Sequence, residues 1–161
     1  MRVEYAGVNA TDVNISAGRY LTDGQVPFGV GLEALGRVHA VGSAVQAPFA
    51  VPGQAVLLSL GQGCYSQFVY ATAEQLVPLP DTSPQHMVTQ GISGLTAAIG
   101  LDVCGRITAG DRILVTAAAG GTGHMAVQLA KAKGCHVIAT TSNERKAQLL
   151  LKLGADRVID R

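Results

Sequence analysis

A chain of 161 residues, 48% hydrophobic and 14% charged, can bury a core and does not read as disordered. Its net charge of +1 argues against the basic footprint of a nucleic-acid binder. No apolar run is long enough for a membrane span, and MRVEYAGVNA lacks the apolar centre of a signal peptide. The length suits one domain or one and a half, and twenty glycines predict many turns. Cys64, Cys104 and Cys135 are odd in number and scattered, which reads as reduced, structural thiols of an intracellular, cytoplasmic protein; a peroxisomal or mitochondrial address stays open.

In chain order, Val3, Tyr5 and Gly7 alternate like the end of a strand. Asn9 to Asn14 reads as a polar turn, because Asn and Asp bond their own backbone, and Gly18 interrupts the segment after it. Strands are predicted at Arg37–Val41 and Ala55–Leu60, with turns at Gly42-Ser43 and Pro52-Gly53. Another is predicted at Gly63–Ala71, where Tyr65, Phe68 and Tyr70 supply bulk. Short strands between glycine turns suggest a small irregular β-barrel, and Leu76–Pro80 leads out of it. Ser83-Pro84 is an N-cap with proline at the first helical position. A short helix over Gln85–Gln90 comes next, then a small-residue helix over Ser93–Val103. The change of character divides the chain into a β-rich domain, 1–82, and an α/β domain, 83–161.

The central stretch is Arg112–Gly134. Ile113-Leu114-Val115 reads as a buried strand, Gly120, Gly121 and Gly123 form a glycine-rich turn, and Met125, Ala126, Leu129, Ala130 and Ala132 fall mostly on one helical face. Gly134 sits where a glycine ends a helix. Glycines let a ligand approach the backbone, and a helix N-terminus offers free N–H groups to a pyrophosphate. The pattern departs from G-x-G-x-x-G because Ala118 holds the first position, so a tight turn without a ligand is the plain alternative. A strand at Cys135–Thr140 completes a βαβ unit. Thr141 with Glu144 fits a capping box for a helix running through Leu149, Leu150 and Leu153 to Gly154, and Arg157–Asp160 is a third strand. Three parallel strands make half of a doubly wound dinucleotide fold. The expectation is a fragment of a longer chain, truncated at both ends.

An NAD site needs an acid about 20 residues beyond the glycines to accept from the ribose 2′-hydroxyl. Thr140 and Thr141 stand there, with Ser142, Arg145 and Lys146 just beyond. A neutral strand end beside cations suits a 2′-phosphate, so NADPH is favoured over NADH. The alternative is that Arg145 and Lys146 form an ordinary solvated face with Glu144.

Gly7-Val8-Asn9-x-x-Asp12, Gly18-x-Tyr20, Pro27-Phe28, Gly31-x-Glu33-x-x-Gly36-x-Val38, Ser93-Gly94-Leu95-Thr96-Ala97 and Ala117-Ala118-Ala119-Gly120-Gly121-Thr122-Gly123 occur in order. Together they resemble the medium-chain dehydrogenase/reductase superfamily, in its zinc-free quinone oxidoreductase branch. VNATDVNISAGRY with VTAAAGGTG is most similar to the prostaglandin reductase 3 group of that branch. The resemblance implies a GroES-like β-rich catalytic domain and, after it, the first half of a Rossmann-type sheet. It places Asn9 and Thr96 toward the nicotinamide, Gly120, Gly121, Thr122 and Gly123 around the pyrophosphate, and Tyr20 in the substrate cleft. Ser142 and Lys146 would meet the 2′-phosphate with Arg145 as a neighbour, and Arg161 stands where the family often has a phosphate-binding tyrosine. The zinc members carry Gly-His-Glu, whereas this chain has Gly31-Leu32-Glu33, and leucine cannot ligate a metal. No cysteine falls near Asn9–Asp12, Cys64 stands alone, and His39, His86, His124 and His136 lack ligand spacing, so no zinc is expected.

The implied activity is metal-free hydride transfer from NADPH to a quinone or an α,β-unsaturated ketone, of which a 15-keto-prostaglandin-like compound is one case. Tyr20 or water would supply the proton. Dimerisation is common in the family, so a homodimer of the full-length protein is expected, with no membrane or nucleic-acid partner. Two alternatives stand: a nucleotide-binding protein of the same fold without turnover, and a catalytically silent fragment.

Overall fold

The computed structural model describes residues 1–19, 26–81 and 85–160. The expectations resting on Tyr20, Ser83-Pro84 and Arg161 lie outside the described residues. The chain divides into two compact units, Met1–Ile92 and Ser93–Arg161. No described helix is long and apolar enough to cross a membrane.

The first unit is built on an antiparallel sheet of four strands, β1 (Arg2–Ala6), β2 (Glu33–Arg37), β3 (Ala55–Ser59) and β4 (Leu76–Pro78), neighbours in that order. The apolar run AVLLS of β3 is buried along most of its length, as befits a strand with a paired neighbour on each edge. Ala34 opposite Leu58 lies at the centre of a small core with Cys64 and Val69. The strand predicted at 37–41 lies four residues earlier. Gly36 sits inside β2, where a Cβ would overlap the carbonyl oxygen of Arg2 on β1. The strand predicted over 63–71 reduces to an isolated bridge between Arg2 and Phe68. Gly63 turns at φ 77°, and the Ser66 hydroxyl bonds the Gly63 and Phe68 carbonyls across a bend.

Asn9–Asn14 is not a plain turn. It starts helix α1 (Ala10–Ser16), with Asn9 extended at the N-cap and the Asp12 carboxylate accepting the Asn9 backbone N–H at 2.8 Å. Residues 85–90 form a 3₁₀ segment.

The second unit opens with α2 (Ser93–Ala98), which widens into a π-helical turn over Ile99–Cys104. After it come strand β5 (Arg112–Val115), helix α3 (Gly121–Ala132), strand β6 (His136–Thr141), helix α4 (Glu144–Lys152) and strand β7 (Arg157–Asp160). The three strands are parallel in the order β5-β6-β7. Val115, Val137 and Ala139 of the sheet pack with Val127 and Ala130 of α3 and Leu150 of α4. The predicted capping box is displaced: Thr141 is the buried end of β6, and Asn143 caps α4 by accepting the Lys146 N–H at 3.1 Å. The α/β class, a β-rich part followed by a parallel sheet, is the one read from the sequence; in place of the expected small β-barrel, the described residues of the first unit form a four-stranded antiparallel sheet.

Candidate functional site

In the second unit the chain leaves β5 and bends sharply. Ala117 takes a left-handed conformation at φ 48°, unusual for a residue with a Cβ. The bend is held by Ala118 N–H to the Thr140 carbonyl (3.1 Å) and Gly120 N–H to the Ala117 carbonyl (2.9 Å), which ties the turn to the end of β6. The Gly120 carbonyl then accepts the His124 N–H at 3.0 Å and approaches His124 Nδ1 at 2.9 Å. The N–H groups of Gly121, Thr122 and Gly123 lie in the first turn of α3, where a helix supplies no acceptors.

The three glycines serve different purposes. A Cβ on Gly123 would stand 2.6 Å from the Ala117 carbonyl oxygen and 2.7 Å from Ala118 Cα, so this glycine permits the turn itself. A Cβ on Gly121 would stand 2.9 Å from the Ser93 hydroxyl, so its absence lets α2 pack on α3. Gly120 is looser, with its virtual Cβ 3.2 Å from the Ala117 carbonyl oxygen, and it borders open space.

That space is a cavity of about 370 Å³ lined by Ala117, Ala119, Gly120, Thr140, Thr141, Ser142 and Lys146. It therefore joins one predicted pyrophosphate residue to two predicted 2′-phosphate residues. Thr122 and Arg145 are exposed and do not line it; Thr96, on α2, is exposed as well. Neither Arg145 nor Lys146 forms an ion pair among the described residues. Glu144 accepts from Gln148 at 2.9 Å, a local bond along its own helix. The cavity lies near the lower end of ligand pockets, about 300–1,000 Å³. The N–H groups of the first turn of α3, a hydroxyl and a lysine without an ion pair among the described residues are a donor set suited to phosphate.

The first unit holds a different cluster around Asn9. Asn9 Nδ2 donates to Glu33 Oε1 at 2.8 Å, and the Ile92 backbone N–H donates to Glu33 Oε2 at 2.8 Å. Glu33 is 2% exposed and Asp12 is 3% exposed. The Tyr65 hydroxyl donates to Asp12 Oδ2 at 3.0 Å, while among the described residues Asp12 Oδ1 is buried without a partner. Burial raises the Glu33 carboxyl above its ordinary value; the bonds from Asn9 and Ile92 offset part of this, and Asp12 adds to it. Burial also pushes the Cys64 thiol up to about 11, with Asp12 and Glu33 contributing. Tyr65 rises to about 12 through burial and its bond to Asp12. The sequence motif contains Glu33 and Asp12, but sequence reasoning gave neither a role. The available signal was a carboxylate inside the apolar run Leu32-Glu33-Ala34-Leu35.

Among the described residues no three His, Cys, Asp or Glu side chains converge as a metal set. His39 packs on the Phe68 ring at 4.8 Å, and His136 Nδ1 lies 3.6 Å from Asp156. All three cysteines are free, with Cys64 and Cys135 buried and Cys104 exposed.

Comparison with known proteins places these features in a family. Residues 1–81 match the family described as alcohol dehydrogenase GroES-like domain, and residues 121–161 match the one described as zinc-binding dehydrogenase. The chain is 46% identical over 159 residues to a probable quinone oxidoreductase of Leishmania amazonensis, covering 98% of this chain and 46% of that protein. It is 41% identical over 160 residues to prostaglandin reductase-3 of Mus musculus, covering 99% of this chain and 42% of that protein. The solved structure of the Escherichia coli quinone oxidoreductase complexed with NADPH superposes with a TM-score of 0.88 at 35% identity, over 99% of this chain and 49% of that one. The chain thus spans about half the length of these three relatives. It belongs to the alcohol dehydrogenase GroES-like domain family, within the medium-chain dehydrogenase/reductase superfamily.

Proposed function

We propose that this chain is part of an NADPH-dependent oxidoreductase that reduces quinones or α,β-unsaturated ketones. The observation that carries the reading is the cavity between the Gly120 turn and the end of β6, walled by Thr140, Thr141, Ser142 and Lys146 with no acid among its lining residues. An acid there would accept from a ribose 2′-hydroxyl, whereas hydroxyls and an unpaired lysine favour a 2′-phosphate. Relatives named quinone oxidoreductase and prostaglandin reductase-3, and an NADPH complex among the similar structures, support it.

Ser142 and Lys146 bind the 2′-phosphate, with Arg145 adding charge from the same helix. Gly120, Gly121, Thr122 and Gly123 receive the pyrophosphate on backbone N–H groups. Asn9 and Thr96 are assigned to the nicotinamide end, Tyr20 to the substrate and Arg161 to the phosphate region. The bound nicotinamide supplies the hydride, and the protein supplies orientation and hydrogen bonds to the developing enolate or quinol oxygen. Leu32 stands where zinc members of the superfamily have a histidine ligand, so the carbonyl is polarised by hydrogen bonds and not by a metal. A 15-keto-prostaglandin-like enone is one candidate substrate.

The test pairs cofactor titration with turnover. NADPH fluorescence and quinone-dependent NADPH oxidation are measured for the protein and for Lys146→Ala. The expected result is a loss of NADPH affinity of about tenfold with NADH binding unchanged. Equal losses for both cofactors, or none, would refute the assignment of the cavity.

A further inference from the structure

The peptide between Gly120 and Gly121 is where the glycine turn enters α3. It joins two residues without a Cβ, so little besides hydrogen bonding resists rotation of its plane. The bond is trans, and in a planar trans peptide the carbonyl and the N–H point in opposite directions. Whatever holds the Gly120 carbonyl therefore also sets where the Gly121 N–H points. The Gly120 carbonyl faces along α3 and accepts the His124 N–H at 3.0 Å. The Gly121 N–H is thus turned out of the helix end, where the helix supplies it no acceptor.

A second donor holds the same oxygen. His124 Nδ1 lies 2.9 Å from it, and a carbonyl can only accept, so the ring carries a proton on Nδ1 and donates it. One turn further along, a different side chain makes the same kind of bond: Gln128 Nε2 donates to the His124 carbonyl, four positions back, at 3.0 Å. A primary amide on this helix therefore reaches the carbonyl that the imidazole reaches one turn earlier. We propose, on the dinucleotide reading above, that His124 is a positioning residue for the diphosphate. Its Nδ1–H holds the Gly120–Gly121 peptide with the carbonyl turned away from the anion and the Gly121 N–H turned toward it. The rotated peptide would set a carbonyl oxygen against phosphate oxygens and break the first bond of α3. His124 does not touch the phosphates in this role, and the neutral ring performs it as well as the charged one.

Two substitutions separate this role from its alternatives. His124→Ala removes the side-chain donor and keeps the backbone one, and alanine is the better helix former, so the fold is not weakened by propensity. His124→Gln removes the imidazole but restores a donor of the kind that Gln128 already supplies.

The experiment measures dissociation constants for NADPH and NADH by fluorescence on the wild type and both variants, beside thermal melts and the Gly121 backbone amide signal in ¹H–¹⁵N NMR. His124→Ala should weaken both cofactors alike, by about fivefold, because both carry the diphosphate. His124→Gln should stay within about twofold of the wild type. The Gly121 signal should move when either cofactor is added to the wild type, and in the free protein it should shift or broaden in His124→Ala but not in His124→Gln. The melting points should not fall in step with affinity. Unchanged affinity in His124→Ala, a loss for NADPH alone, a loss that glutamine fails to restore, or a Gly121 signal indifferent to both cofactors would overturn the proposal. Equal wild-type affinity for NADH and NADPH, or no quinone turnover, with the alanine loss and the glutamine rescue intact, would overturn the NADPH-dependent reductase reading and leave the role of His124 supported.

Discussion

Gly120 and Gly123 lie three residues apart in one turn, yet a methyl group on each should do different damage. At Gly123 the new carbon would stand 2.6 Å from the Ala117 carbonyl oxygen, 2.7 Å from Ala118 Cα and 2.8 Å from the Ala118 carbonyl oxygen. All three are backbone atoms of a turn already tied to β6 through Ala118 N–H, so no side chain can swing aside. Gly123 is inside α3, where alanine should add about 1 kcal/mol of helix propensity. Overpacking against fixed atoms costs about 1–3 kcal/mol and sits at the upper end here, so the clash wins by about 1–2 kcal/mol. For a unit the size of Ser93–Arg161 that is a fall in Tm of roughly 5–15 °C. Gly120 is extended at φ −78° and ψ 175°, which any residue can adopt, and its only close neighbour would be 3.2 Å away. Gly120→Ala should cost under about 1 kcal/mol in stability. Its methyl enters the cavity, however, and should weaken NADPH binding by about tenfold or more. Differential scanning calorimetry with cofactor fluorescence reads both quantities on both variants. Equal Tm losses for the two, or a Gly120→Ala protein with undiminished NADPH affinity, would refute the division of labour.

Ser142→Asp puts an acid at the end of β6 and should turn cofactor preference toward NADH by about tenfold, read from the ratio of the two dissociation constants. The Glu33 carboxyl is raised above 4.5, so its contribution relative to Glu33→Gln is full below 4.5 and is lost as pH rises through the folded value; the Tm difference between the two proteins should move against the wild type across that window, and a flat difference would refute it. The Asp156 carboxyl is lowered from 3.8 by its bond from Lys131 and by the Val137 N–H, so its contribution is present above 3.8 and lost as pH falls through the folded value; Asp156→Asn should lower Tm at neutral pH and cease to matter in strong acid. Of the three thiols only exposed Cys104 should react promptly with a thiol reagent, whereas Cys64, buried and pushed up to about 11, should wait for unfolding.

The second unit was legible because its signals are local. The βαβ order, the glycine turn and the neutral end of β6 are each written within a few residues of one another, and the structure forms them from those same residues. One misplaced detail, the cap of α4, is a choice between Thr141 and Asn143 two positions apart. Burial of Thr141 in the sheet decides it, because a side chain packed into the core is not at the helix entrance. The first unit resisted for the opposite reason. Gly36 lies in a strand against Arg2, 34 positions away, and the Asn9 amide bonds a carboxylate 24 positions along the chain. Such contacts leave no periodicity, and a residue that makes them looks locally out of place: a glycine within a strand, an acid within an apolar run.

That mismatch is itself informative. A glycine that breaks local propensity can be explained by a close backbone approach, as at Gly36, and then it speaks only of the fold. Glu33 is harder to explain that way, because a buried acid with no cation among the described residues works against the fold, and Gly7 and Gly91 leave room for its oxygens. Fold stability alone would favour replacing all three. Within the unit, the Asn9 amide and the Ile92 N–H, each 2.8 Å from a Glu33 oxygen, offset part of that cost.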